Sequence, residues 1–81
     1  MWNYRVLAHQ DKEEIFMKIH EVYYDESGKP NGYTENAVSA SGETTDEILS
    51  VLNRMKECCK RPVLWAGEKF PLEFKITNET T

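Results

Sequence analysis

GETTDEILSVLNRMKECCKRP, residues Gly42–Pro62, carries the marks of both ends of one amphipathic helix. Thr44 followed by Glu47 has capping-box spacing: the hydroxyl accepts the Glu47 backbone N–H and the carboxylate reaches back to the Thr44 N–H. Glu43, Asp46 and Glu47 place negative charge at the positive end of the helix dipole, and Lys56, Lys60 and Arg61 place positive charge at the other end. Pro62 cannot continue the helix and biases Arg61 away from helical dihedrals. Ile48, Leu52, Met55 and Cys59 repeat at helical spacing, with Leu49, Val51 and Cys58 widening the stripe. Ser50, Asn53, Arg54 and Glu57 are left for the solvent side. A buried Leu52 implies that Leu52→Ala costs about 2–5 kcal/mol. A helix this short is marginal alone and needs a surface to pack on.

That surface is expected from the chain before it. Trp2 to His9 alternates, with Trp2, Tyr4, Val6 and Ala8 on one side and Asn3, Arg5, Leu7 and His9 on the other, the pattern of a strand. Ile15 to Tyr24 reads as a second strand whose phase slips, since Ile15, Met17 and Ile19 fall on one face and Val22 and Tyr24 on the other. A bulge near His20–Glu21, or burial on both faces, accounts for the slip. Asp25 to Gly32 concentrates turn residues, and a third strand is expected from Gly32 or Tyr33 to Val38. After Pro62, Val63-Leu64-Trp65 should lie back on the core. Phe70, Leu72, Phe74 and Ile76 alternate with polar residues, and Pro71 confines that strand to an edge. The fold class expected is α+β: a three-stranded antiparallel meander, one helix (β-β-β-α) and a C-terminal extended or edge-strand segment. It forms a single domain over 1–76, with a disordered tail at 77–81.

Composition narrows the function classes. The 81 residues are 40% hydrophobic and 30% charged, as in a globular domain, and the net charge is −4. An acidic chain argues against a general nucleic-acid or anionic-membrane binder. Positive charge gathers only at the helix end, where Arg54, Lys56, Lys60 and Arg61 face Glu57 alone. The N-terminal residues lack an apolar signal sequence, and no stretch is long enough to span a bilayer, so a cytoplasmic setting is expected.

Two adjacent cysteines are neither a disulfide framework nor a zinc motif. Cys58 and Cys59 are nevertheless the candidate reactive thiols, near Lys56, Lys60 and Arg61, with Cys59 expected in the buried stripe and Cys58 beside it. His9 and His20 are the candidate metal or acid–base pair should their strands be neighbours; without HxH, HxxxH or HExxH spacing they read first as surface histidines. The hydroxyl-rich run at Ser39–Thr45 leads into a helix N-terminus, but capping accounts for it.

Two resemblances attach to these residues. Asn3–Val6 (NYRV), Ile19–Glu26 (IHEVYYDE), Gly28–Pro30 (GKP) and Gly42–Thr44 (GET) resemble a family of short bacterial proteins of unknown function, over most of Met1–Leu64. That resemblance implies a fold and no activity. Three strands followed by a G-[DE]-T-x-x-E helix, here Gly42, Glu43, Thr44 and Glu47, also resemble the N-terminal domain of HicB antitoxins, a partial RNase-H-like fold. This implies a toxin-binding role. The Pro-Gly-Cys that precedes this helix start in HicB proteins is absent here, as is a helix-turn-helix or ribbon-helix-helix pattern.

The expectation is therefore a non-enzymatic protein-binding or regulatory module without cofactor or metal. It docks a protein partner or a second copy through aromatic and apolar residues on the uncovered sheet face. A HicB-like antitoxin component is the alternative, and a thiol, redox or metal protein the third reading.

Overall fold

The computed structural model describes residues 1–75. Strand β1 runs Trp2–Asp11, β2 Glu14–Tyr24, β3 Pro30–Tyr33 and β4 Leu64–Trp65; helix α1 spans Thr45–Cys58 between β3 and β4. The fold is α+β, but its sheet is not a pure three-stranded meander. It is a mixed sheet of order β3-β2-β1-β4, in which β4 runs parallel to β1. After a short 3-10 turn at Gly67–Lys69, the segment expected as an extended or edge strand at Phe70–Ile76 forms, among the described residues, only a single antiparallel bridge from Leu64 to Glu73, flanked by hydrogen bonds from Trp65 to Leu72 and from Phe74 to Val63. Ile76 and the expected tail at 77–81 lie outside the described residues.

β1 and β2 form a long antiparallel hairpin that holds one register from Trp2↔Tyr23 to Asp11↔Glu14. No bulge interrupts it at His20–Glu21. The irregularity lies between Tyr23 and Tyr24, where β3 pairs through Gly32 and then Pro30 and skips Asn31. The phase slip in β2 therefore has another cause: the strand carries apolar side chains on both faces. Strand β3 is displaced from the expected Gly32/Tyr33–Val38: it begins at Pro30, inside the expected loop, and ends at Tyr33. Beyond it, the Thr34 and Val38 amides still donate to the Glu21 and Ile19 carbonyls.

The register sorts the sheet into two faces. On the first, Leu7, Val22 and Leu64 make the core, with Tyr24, Tyr33, Ala66 and Phe70 packed against them. The second carries Trp2, Tyr4 and Val6 of β1 beside Ile15, Met17, Ile19 and Tyr23 of β2. Helix α1 packs on β1 and leaves this face of β2 uncovered, so Ile15 and Met17 stand 46% and 45% exposed.

The start of α1 is nearly as the sequence implied. Thr44 Oγ1 accepts the Glu47 N–H at 3.1 Å, but the Glu47 carboxylate takes the N–H of Glu43, at 2.8 Å, instead of that of Thr44. Gly42 is required sterically, because a Cβ there would sit 2.8 Å from Glu47 Cβ. The helix ends at Cys58, earlier than Pro62 implied. Tighter turns follow, from the Lys60 amide to the Glu57 carbonyl and from Arg61 to Cys58. Its buried stripe is rotated from the expected one: Met55 and Cys58 are buried and Ile48 and Val51 half-buried, whereas Leu49, Leu52 and Cys59 are exposed. Arg54 is exposed, as expected, with its guanidinium over the Trp2 and Tyr4 rings of β1.

Candidate functional site

Adjacent strands bring His9 and His20 together, the two histidines singled out in the sequence. Their Nε2 atoms lie 2.9 Å apart. His20 is not a surface histidine; it is 1% exposed. The reason is its phase: it shares a face with Val22 and Tyr24, the core-facing residues of β2. His20 Nδ1 lies 2.9 Å from the Thr34 carbonyl oxygen. A carbonyl only accepts, so Nδ1 carries the hydrogen and the neutral ring offers Nε2 as acceptor. His9 must then donate from Nε2, which leaves its Nδ1 as the pair's bare nitrogen. Burial lowers both pKa values; His20 and Lys18 lower His9 further, and Lys18 lowers His20 against the opposing hydrogen bond to Thr34.

The pair sits in an aromatic row. Phe16 stacks on His9, with rings 8° from parallel, and Tyr33 meets His20 edge-on. Phe70 then packs on Tyr33, whose hydroxyl accepts the Gly67 N–H at 2.7 Å. The imidazoles thus fasten β1, β2, the turn after β3 and the C-terminal turn to one another. Two imidazoles could hold a metal only after separating, since tetrahedral Zn–N bonds of about 2.0–2.1 Å set the nitrogens about 3.4 Å apart. Among the described residues no group of three or more His, Cys, Asp and Glu side chains is placed to hold a metal ion, and the Lys18 charge opposes one.

The cysteines exchange the places expected of them. Cys58 is buried and Cys59 exposed, and both are free thiols. Burial pushes the Cys58 thiol up to about 11, Cys59 adds to the effect, and Arg61 and Arg5 oppose it. A buried thiol with so high a pKa is a poor nucleophile. Cys59 instead lines an open apolar groove of about 430 Å³ with Val6, Met17, Lys18, Ile19 and Val63.

A second groove, of about 410 Å³, lies where α1 meets the start of β1, lined by Trp2, Asn3, Tyr4, Arg54, Glu57 and Arg61. Arg54 stands over both aromatic rings, 5.9 Å from Trp2 and 5.6 Å from Tyr4. The burial of Arg5 was missed from sequence, whereas Arg54 falls within the basic end of α1 already evident there. The signal for Arg5 was its strand phase, shared with Leu7, which predicts burial of a charged residue. No helix of the described residues is long and apolar enough to cross a membrane. No family model, curated protein or solved structure matches the chain.

Proposed function

We propose that this chain is a small cytoplasmic protein-binding module, not an enzyme, and that its partner on the uncovered sheet face is a second copy of itself. The observation that supports this reading most is the unsupported hairpin. Among the described residues the ribbon from His9 to Met17 has no third strand, yet it displays Ile15, Phe16 and Met17, each 40–46% exposed, on both its faces. A two-stranded ribbon is marginal in water, and exposed apolar surface that continues into an open groove is the usual mark of an interface.

The choice of a second copy rests on charge and edges. The β1–β2 part of this face carries Glu21 as its one charged side chain, so two copies of an acidic chain can meet there without burying many like charges. Growth of the sheet edge to edge is hindered: β3 has four residues and begins with Pro30, and β4 is bridged by Glu73. Face-to-face stacking remains. Sedimentation velocity tests the reading. The native chain should sediment as a dimer at tens of micromolar, and Met17→Asp should return it to monomer with its circular dichroism unchanged. A native chain that stays monomeric to millimolar concentration would refute self-association. The HicB-like alternative draws on the strand–strand–strand–helix order and the Gly42-Glu43-Thr44 start; it requires co-purification with a toxin encoded beside this chain.

A further inference from the structure

We propose that the groove between the start of β1 and the last turns of α1 binds a phosphate group, free or carried by a small phosphomonoester. Arg5 is the starting point. Only 9% exposed, it donates from one terminal nitrogen to the Tyr24 hydroxyl at 2.8 Å and from the other to the Pro62 carbonyl at 2.6 Å. Its Nε is buried without a partner, and no carboxylate pairs with it among the described residues. A buried cation without a counter-charge is costly and calls for an anion.

Both of its hydrogen-bonded neighbours lead to the groove. The Tyr24 hydroxyl passes its own hydrogen to Asn3 Oδ1 at 2.8 Å, and Asn3 lines the groove. Pro62 follows Arg61, which lines it too. Among the described residues the Arg61 side chain donates only to the Glu57 carbonyl, at 3.4 Å. The Arg54 guanidinium stands 5.9 Å from the Trp2 ring and 5.6 Å from the Tyr4 ring, and among the described residues no carboxylate is paired with it, so its N–H groups can fork onto an oxyanion. Glu57, the single acid in the lining, is already engaged by Lys60 at 3.3 Å. Two guanidiniums, those of Arg54 and Arg61, thus line the groove, and buried Arg5 is linked to it through Tyr24–Asn3 and Pro62, in a chain whose net charge is −4.

Phosphate suits this arrangement better than a carboxylate: it brings up to two charges and more acceptor oxygens to several forks at once. The groove has the size of a small-ligand site, and the part-exposed Trp2 ring offers a surface for the remainder of an ester. A long polyanion would meet the acidic remainder of the surface, which restricts the occupant to something small.

The test is a titration followed by ¹H–¹⁵N NMR at low salt, using adenosine 5′-monophosphate, inorganic phosphate and adenosine as separate probes. Shifts of the Trp2 indole N–H and the Asn3 amide are expected with both phosphates and not with adenosine. Tighter binding of the monophosphate assigns the ester as ligand, and equal binding assigns the free anion. Arg54→Ala with Arg61→Ala should weaken binding at least about tenfold, the loss of one or two charge-assisted contacts. The single variants Arg54→Lys and Arg61→Lys should fall between, which separates lost recognition from lost folding. Adenosine acting like the monophosphate, shifts spread equally over Lys18, Lys29 and Lys69, or undiminished binding by the double variant would each overturn the proposal.

Discussion

The rotation of the α1 stripe can be measured by truncating Met55 and Leu52 separately. Both changes remove comparable apolar volume from the same helix, and Leu, Met and Ala are all good helix formers, so helix propensity largely cancels between them. Met55 is 7% exposed, and truncating such a side chain costs about 2–5 kcal/mol because a cavity remains. Leu52 is 48% exposed. At about 0.8 kcal/mol per carbon removed from a fully buried site, roughly half burial leaves about 1 kcal/mol, with no enclosed cavity to add to it. For a chain this small a urea slope of about 1 kcal/mol/M is expected, so Leu52→Ala should lower the midpoint by about 1 M and Met55→Ala by about 2 M or more. Equal losses at low and high protein concentration alike would refute the observed rotation and restore the stripe expected from sequence. A Leu52→Ala loss that grows with protein concentration would instead place Leu52 in the interface between copies.

Two further measurements address the side-chain clusters. Because burial lowers the pKa of both His9 and His20 from the ordinary value of 6.5, the unfolded chain binds more protons in acid than the folded chain does. Stability from this pair is therefore complete above about pH 6.5 and is lost as the pH falls from there through the lowered folded values; urea midpoints from pH 8 to 4 should show this loss, and replacing His20 with Gln should flatten it. With an aromatic disulfide reagent at pH 8, Cys59 should react quickly in the folded protein and Cys58 only on unfolding, so Cys59→Ser should abolish the fast phase. A fast phase that survives Cys59→Ser would contradict the burial of Cys58.

Local chemistry was legible in the sequence and tertiary choice was not. Thr44 with Glu47 and the alternation of Trp2–His9 act through near neighbours and produced their expected elements, and the turn after β2 formed too, though β3 begins at Pro30, within the expected loop. The apolar positions of α1 occupy more than a narrow stripe, so which side is buried depends on where β1 approaches. Leu64-Trp65 is too short for periodicity to identify a strand, and its parallel pairing with Leu7-Ala8 is decided by the chain's return past Pro62. The meeting of His9 and His20 was conditional on adjacent strands. The depth of His20 was present in the strand phase, where it falls with Val22 and Tyr24, but the apolar Ile15, Met17 and Ile19 made the opposite face look equally buried.

That ambiguity in β2 bears on function. A strand buried on one face and wet on the other usually alternates, whereas one covered on both faces reads as apolar throughout. β2 carries the second pattern in an environment that supplies only the first, because α1 follows β1 and stops short of β2. Within one copy, Ile15, Met17 and the groove beside Cys59 have no purpose that core packing explains. The cluster of Leu7, Val22 and Leu64 lies on the opposite face, and on this face, among the described residues, only Ala8, together with Met55 and Cys58 of α1, is buried. A sheet that spends aromatic and imidazole side chains tying one face together, hinders pairing at both edges, and leaves its other face apolar is suited to stacking on another sheet. The guanidiniums near Trp2 lie toward one end of that face, so an interface centred on Met17 would leave the groove by Arg54 accessible.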